Sequence, residues 1–368
     1  MERKILAILS IVVFFSVAVL TTTGGVSAAN AYSKNVGAVY TIDNAATNHV
    51  LYYVRAANGS ITYVSSYATN GAGTGTAFHS QGAVVLTEDG RFLLVVNAGS
   101  NTISVFKVQS SGLAYLSKAS SHGTMPISLT VYENWVYVLD AGGSGNIAGF
   151  LLSKSGVLTH MAGSNQPLSG MAKPSPEQIG FSPNGEVLVV TEKGTNMIDT
   201  YLVDKHGVAS DPITQASAGN APYGFAFTDK GKLVISEASG SSSSYAVSDE
   251  GILRTISGAI STYTGTPCWV AINGKGRFAY TGNGGVGTIS SFSISHNGKL
   301  TLTSSIAATV PSPALDLAFS KHSRFLYVLS ANGGMSITGF KVDEDGSLSQ
   351  VTSVSSGNLI AAAGLAAS

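Results

Sequence analysis

The sequence predicts an all-β fold, a seven-bladed β-propeller of four-stranded blades whose ring is closed by a C-terminal strand completing the first blade. Three observations carry this. The stretch GRFLLVVNAGSNTISVFKV, Gly90 to Val108, reads as strand, tight polar turn and strand, and variants of it return along the chain. Each variant sits in a module of roughly 40 to 50 residues with four strand patterns, the size of a propeller blade. Turn signals also recur at two fixed places. Glu88-Asp89-Gly90, Pro183-Asn184-Gly185 and Asp229-Lys230-Gly231 follow first strands, while His206-Gly207, Glu250-Gly251, Asn297-Gly298 and Asp345-Gly346 precede fourth strands. Such residues are chosen where the backbone needs positive φ at little steric cost.

The modules follow in order. Val36 to Tyr67 supplies three strands, GAVYTID, HVLYYVR and ITYVSSY, with no opening strand before Gly37. Later modules open at Gly82, Pro126, Pro176, Pro222, Pro267 and Pro313. The fourth, PEQIGFSPNG-EVLVVTEKG-MIDTYLV, has a poor last strand. The chain then ends in Ala361 to Ser368, which reads as the start of an eighth module and nothing more. The economical solution is that these residues become the innermost strand of the first blade, removing sheet edges that would pair with other chains.

Composition agrees. The 368 residues include 43 glycines, and only 11% are charged, as expected for many tight turns around strongly buried strands. Lys+Arg 20 balances Asp+Glu 20, so no net charge steers the chain to nucleic acid or anionic lipid.

At the amino terminus, Arg3 and Lys4 precede an apolar run from Ile5 to Leu20, then Val26-Ser27-Ala28, a small-residue cleavage pattern. The expected organisation is a signal peptide over 1–28, a leader over 29–35 and the propeller over 36–368. A retained anchor is the other reading, although the run falls short of the ~20 residues a bilayer span needs. No later run is long enough to span. Secretion, or a periplasmic or surface location, follows, with a monomer expected. Cys268 is the single cysteine, so no intramolecular disulfide forms; in Pro267-Cys268-Trp269-Val270 it reads as a small buried hydrophobe. Asn58-Gly59-Ser60 is a glycosylation sequon.

In propeller geometry, blade-joining loops and second-to-third-strand turns share one face, the mouth face below. The residues ending each second strand are Asp43, Asn97, Asp140, Glu192, Glu237, Asn283 and Ser330, one per blade. Asp140, Glu192 and Glu237 fall in consecutive blades, so their carboxylates are expected to converge near the channel mouth. There they would act as acid or base, or bind a cation or sugar hydroxyls. The bland alternative is that each accepts hydrogen bonds from its own Gly-rich turn. His79, His122, Lys173, Glu177 and Lys193 lie on the same face, and Asn97, Asn283, Glu177 and His79 join the candidate ligand-binding set. His206, His296 and His322 lie in turns of the opposite face; Trp135 and Trp269 read as core or channel wall. No cofactor or metal motif is present: Gly71 to Thr76 breaks GxGxxG, and GxSxG, HExxH and paired cysteines are missing.

PEQIGFSPNGEVLVVTEKGTNMIDTYLV and its flanking modules resemble the seven-bladed lactonase family, which includes 6-phosphogluconolactonase and the carboxymuconate lactonising enzymes. The likeness runs over Val36 to Ser368, is greatest to the exported, Gly-rich branch, and LLVVNAGSNTISVF also looks like the YVTN-type repeats of surface-layer propellers. The resemblance implies a lactonase site, and Glu192, in Thr191 to Asn196, matches the family's glutamate segment. Ile127 stands where the family has histidine, Glu177 where it has arginine, and Asn283 to Thr288 lacks a further arginine. The expectation is therefore a lactonase-like propeller binding a small polyol, sugar, cation or protein partner, with the family's catalytic set largely replaced. The alternatives are a lactone hydrolase or muconate-type cycloisomerase using Glu192 with His122 or His79, and a structural surface propeller.

Overall fold

The computed structural model describes residues 35–331, 334–357 and 361–368. The targeting segment expected over 1–28 lies outside the described residues. Seven antiparallel sheets follow one another along the chain, as the repeat predicts. Blade two is built from Val84–Leu86, Phe92–Asn97, Thr102–Gln109 and Gly112–Ser120. Blade four runs Pro176–Phe181, Val187–Glu192, Met197–Leu202 and a short Ile213–Ala216; blade five runs Pro222–Phe227, Lys232–Glu237, Ser241–Val247 and Leu253–Ser261. Blade six runs Pro267–Ile272, Phe278–Asn283, Thr288–Ile294 and Leu300–Thr309, and blade seven Ala314–Phe319, Phe325–Ala331, Gly334–Val342 and Leu348–Gly357.

Blade one is closed by the other end of the chain. Its sheet order is Ala363–Ala367, Asn35–Ile42, His49–Ala56, Ile61–Ala68, with Ile42 opposite Ala363 and Val39 opposite Ala367. Ser368 seals the join: its N–H donates to Ala38 O, and its carbonyl accepts Arg55 Nε at 3.0 Å. Blade three, Pro126–Tyr132, Trp135–Asp140 and Asn146–Leu152, differs from the expected four strands in having a split outer strand, Leu158–His160 and Gln166–Pro167. The gap between the two pieces is filled by Ser164, whose hydroxyl bonds both N–H and C=O of Gly149 at 3.0 Å.

The core lies between blades. Second strands are buried along their length, as in Phe92–Asn97 and Val187–Glu192, which matches their continuous apolar runs. One contact recurs from blade to blade. A second-strand tyrosine donates to the glycine carbonyl in the next blade's third-to-fourth-strand turn: Tyr137 to Gly207 at 2.7 Å, Tyr280 to Gly346 at 2.8 Å, Tyr327 to Gly59 at 2.7 Å. Those glycines have φ of 84°, 86° and 90°, and an aromatic of the neighbouring blade occupies the space a Cβ would need. Glycine is required there for two reasons at once.

The axial channel is closed at the mouth face by His79 to Gly82, part of the connection from blade one to blade two. Ser80 Oγ donates to Ile127 O at 2.7 Å, Leu129 N–H to Gly82 O at 2.9 Å and Trp269 Nε1 to Ser80 O at 3.0 Å. The Gln81 side-chain amide pairs with both backbone groups of Val270, at 3.0 and 2.7 Å. Gln178 pairs with Phe225 in the same way. An inner strand has an unpaired edge towards the axis, and these amides stand in for the missing neighbour. Among the described residues no helix is long and apolar enough to cross a membrane.

Candidate functional site

The residues ending the second strands are enclosed in their blades. Asp140, Glu192, Glu237, Asn97, Asn283 and Ser330 are all fully buried. Glu192 accepts Ser169 N–H at 2.9 Å, Ser169 Oγ at 2.7 Å and Thr195 Oγ1 at 2.6 Å. Glu237 accepts Ser241 Oγ, Ser243 Oγ and Gly219 N–H. Asn97 donates to Thr102 and Ser104 and accepts Asn48 Nδ2 at 3.0 Å; Asn283 donates to Thr264, Thr288 and Ser290. Asp140 Oδ1 accepts Ser121 Oγ at 2.7 Å, while its Oδ2 is buried without a partner. Glu192, Glu237 and Asn283 thus clasp the start of their own second-to-third-strand connection to the preceding blade-joining loop, Asp140 holds that loop alone through Ser121, Asn97 is tied to Asn48 of blade one, and Ser330 Oγ is buried without a partner.

Burial leaves these carboxyls short of solvation. Asp140 is pushed up to about 7 and Glu237 upward, both by desolvation against the hydroxyl donors that pull down. Behind Glu192 stands Asp199, a partner not apparent in the sequence. Desolvation first, and then its closeness to the Glu192 carboxyl, push Asp199 up, while its Oδ1 accepts Thr214 Oγ1 at 2.6 Å. Signals for the clasp do exist: Thr69-Asn70-Gly71, Ser121-His122-Gly123 and Ser217-Ala218-Gly219 place a hydroxyl and a glycine in the loops joining blades one to two, two to three and four to five. His122 is the middle residue of one such turn, at φ 62°, and its exposed ring stacks on His160 at 3.8 Å between centroids.

A different set of residues surrounds the plugged mouth. In blades three to seven the inner strand carries a β-bulge near its start, at Ile127, Glu177, Tyr223-Gly224, Cys268 and Leu315. Bulges re-aim side chains and are common beside functional sites. In the sequence the position is marked by the prolines opening these modules, one residue ahead in blades three to six. Glu177 therefore belongs to this ring and not with Asp140 and Glu237.

Glu177 is 3% exposed and ion-paired with Lys193, which follows Glu192 at the end of the second strand and is partly open to solvent. Lys193 Nζ lies 5.1 Å over the Tyr223 ring. Tyr223 stands within hydrogen-bonding reach of Glu177 and donates to the His79 carbonyl at 2.7 Å; its ring packs edge-on to Trp269. The exposed His79 imidazole leans over Trp269. Desolvation pushes Glu177 up to about 7 although Lys193 and its hydrogen bonds hold it down, and His79 is lowered by desolvation and then by the Lys193 charge. Cys268 rises to about 12 through burial and the Glu177 charge, so it stays a thiol and no nucleophile.

The structure thus brings Glu177 and His79 together around Lys193, while Asn97, Asp140, Glu192, Glu237 and Asn283 stay in separate blades and His122 pairs with His160. The mouth cluster offers one ammonium and one imidazole to a ligand, backed by a carboxyl that exchanges its proton near neutral pH. Among the described residues no group of three or more His, Cys, Asp or Glu could hold a metal ion.

Solved structures with this architecture include the periplasmic gluconolactonase of Pseudomonas aeruginosa (TM-score 0.69, 17% identity, 89% of this chain and 98% of that one). A Lactobacillus plantarum protein gives TM-score 0.72 at 17% identity, over 90% and 99% of the two chains. A Bacteroides uniformis protein, provisionally assigned as a 6-phosphogluconolactonase, gives 0.70 at 17% identity, over 89% and 98%. At these identities the likeness is one of fold. Comparison with curated proteins gives no match. The model of the family described as lactonase, seven-bladed β-propeller, matches residues 29–167 and 247–359, and this chain belongs to that family.

Proposed function

We propose that this chain is an exported lactonase-family propeller, monomeric after loss of its signal segment, that binds a small polyhydroxylated ligand at the plugged channel mouth. The observation that carries this reading is the Glu177–Lys193 pair beneath His79. Lys193 presents a cation to a carbonyl or carboxylate oxygen, and Glu177 fixes its position. The candidate acid of the family motif, Glu192, is spent on Ser169 and Thr195 within its blade, which supports binding without the family's turnover.

Lactone hydrolysis is a second reading, favoured by one observation: Glu177 at about 7 is matched to accepting a proton from water at neutral pH. The two separate in one experiment. Wild type, Glu177→Gln, Lys193→Met and Glu192→Gln are titrated with a panel of aldonic acids and assayed with the corresponding lactones. Binding weakened about tenfold or more by Lys193→Met, with no turnover, supports the binding reading. Turnover abolished by Glu177→Gln supports the hydrolase. A wild type that neither binds nor hydrolyses any member overturns both.

A further inference from the structure

We propose that the groove between blades five and six, on the face opposite the mouth, is a binding site for compact multivalent oxyanions carrying phosphate or sulfate groups. The groove encloses about 340 Å³, and four cations line it: Lys230 and Lys232 from the first turn of blade five, Lys275 and Arg277 from that of blade six. His296 adds an imidazole, and Asp229 is the one carboxylate.

Two features set this groove apart from ordinary surface charge. First, none of its four cations is in an ion pair among the described residues, whereas Arg91 pairs with Asp89 and Lys341 with Asp343 on the same face. Lys275 and Arg277 are shared with the next groove, towards blade seven, where with Arg324 they face four carboxylates, so the excess of cations lies on the side facing blade five, with Lys230 and Lys232. In a chain with no net charge, four cations against one acid in one cleft is a field that a bound anion would neutralise.

Second, two of the four cations are held in place. The Arg277 guanidinium lies 5.4 Å over the Phe278 ring and donates to Glu344 O at 3.3 Å, and the Lys232 stem lies against Gly298, leaving no room for a Cβ there without displacement. A pre-positioned fork loses little freedom on binding. Guanidinium and ammonium groups together match the several oxygens of a tetrahedral anion better than a single carboxylate. The volume suits a ligand of sugar-phosphate size, about 300 Å³ being the lower end for small-molecule sites.

The test is calorimetric titration of the full chain with inorganic pyrophosphate, at about 20 mM and about 150 mM salt. Saturable binding that weakens at the higher salt is expected, with Lys232→Gln and Arg277→Gln each weakening it about tenfold. Lys275→Glu, at an exposed turn tip, gives the same loss with no packing change. Lys193→Met, at the mouth, leaves it unchanged. Absence of saturable binding at low salt overturns the proposal, as do wild-type affinity in these three groove variants and loss of binding in Lys193→Met.

Discussion

Asp316, in the inner strand of blade seven, accepts the backbone N–H of Leu365 at 2.9 Å through Oδ2, while Oδ1 accepts the N–H of Leu317 at 2.7 Å. Leu365 belongs to the strand that completes blade one, so a carboxyl of the last blade latches the ring shut. Asp316→Ala leaves the Leu365 N–H without this acceptor in a buried place, a loss of ~1–3 kcal/mol. Deleting Gly364 to Ser368 removes the strand itself and is expected to lower the melting temperature far more. Thermal unfolding of both variants checks this, and an unchanged melt for the deletion refutes ring closure as the source of stability.

The buried acids give the fold a definite pH dependence. Burial pushes Asp316 up to about 8, Asp140 and Glu177 up to about 7, and Asp199 and Glu237 upward. In the unfolded chain such groups titrate near 4. Between those values the folded chain therefore holds more protons than the unfolded one, and stability falls as pH rises through that window. His79 and His122, pushed below 6.5, act in the opposite sense at lower pH, stability rising with pH until 6.5 is passed. Above 6.5 the carboxyls act alone. The melting temperature should fall between pH 6.5 and 8.5, and Asp199→Asn, which keeps the acceptor for Thr214 and gives Glu192 a permanent donor, should flatten the fall. A melting temperature that rises over that range contradicts the assignment.

The plug rests on Gln81. Gln81→Ala removes both side-chain hydrogen bonds to Val270 while leaving the backbone contacts of Gly82 and Ser80. A loss of ~1–3 kcal/mol is expected in denaturant unfolding. Hydrogen exchange should quicken at the Val270 amide, whose acceptor is gone, and stay unchanged at Leu233, in the second strand of blade five. Equal quickening at both would mean global loosening, not an opened plug.

The blades were legible because their signals are local. Gly90 and Asn97 bracket a buried strand by pattern alone, and the missing opening strand before Gly37 paired logically with the surplus Ala361 to Ser368. The mouth was only partly legible. Asp140, Glu192 and Glu237 mark a true ring, but whether a strand-end carboxylate faces water depends on the loop that covers it. That loop lies 17 to 26 residues upstream for Gly71 under Asn97, Gly123 under Asp140 and Gly219 under Glu237. Glu177 drew attention by its family position, yet the bulge that groups it with Tyr223 and Cys268 is a property of strand pairing. Lys193 meets Glu177 across one strand pair, but only the bulge aims them at each other, and the crossing of the channel by His79 to Gly82 joins residues as much as 189 apart in sequence, so no periodicity encodes either.

The covering loops supply the sharpest stability test. Gly219 lies directly on the Glu237 carboxyl, and a Cβ there would overlap it. Its N–H is also one of the donors to that carboxyl. Gly219→Ala must displace either the loop or the Glu237 side chain, and displacement breaks hydrogen bonds to Ser241 and Ser243 in a site closed to water. A destabilisation of ~2–4 kcal/mol is expected, as for overpacking joined to a disturbed buried network. Gly231→Ala, at a φ of 72° with open space around its Cβ, suffers backbone strain alone and should cost about 1 kcal/mol. If Gly219→Ala costs no more than Gly231→Ala in denaturant unfolding, the loop does not clasp Glu237. If adding Glu237→Gln to Gly219→Ala is fully additive, the two residues are not coupled as their contact requires.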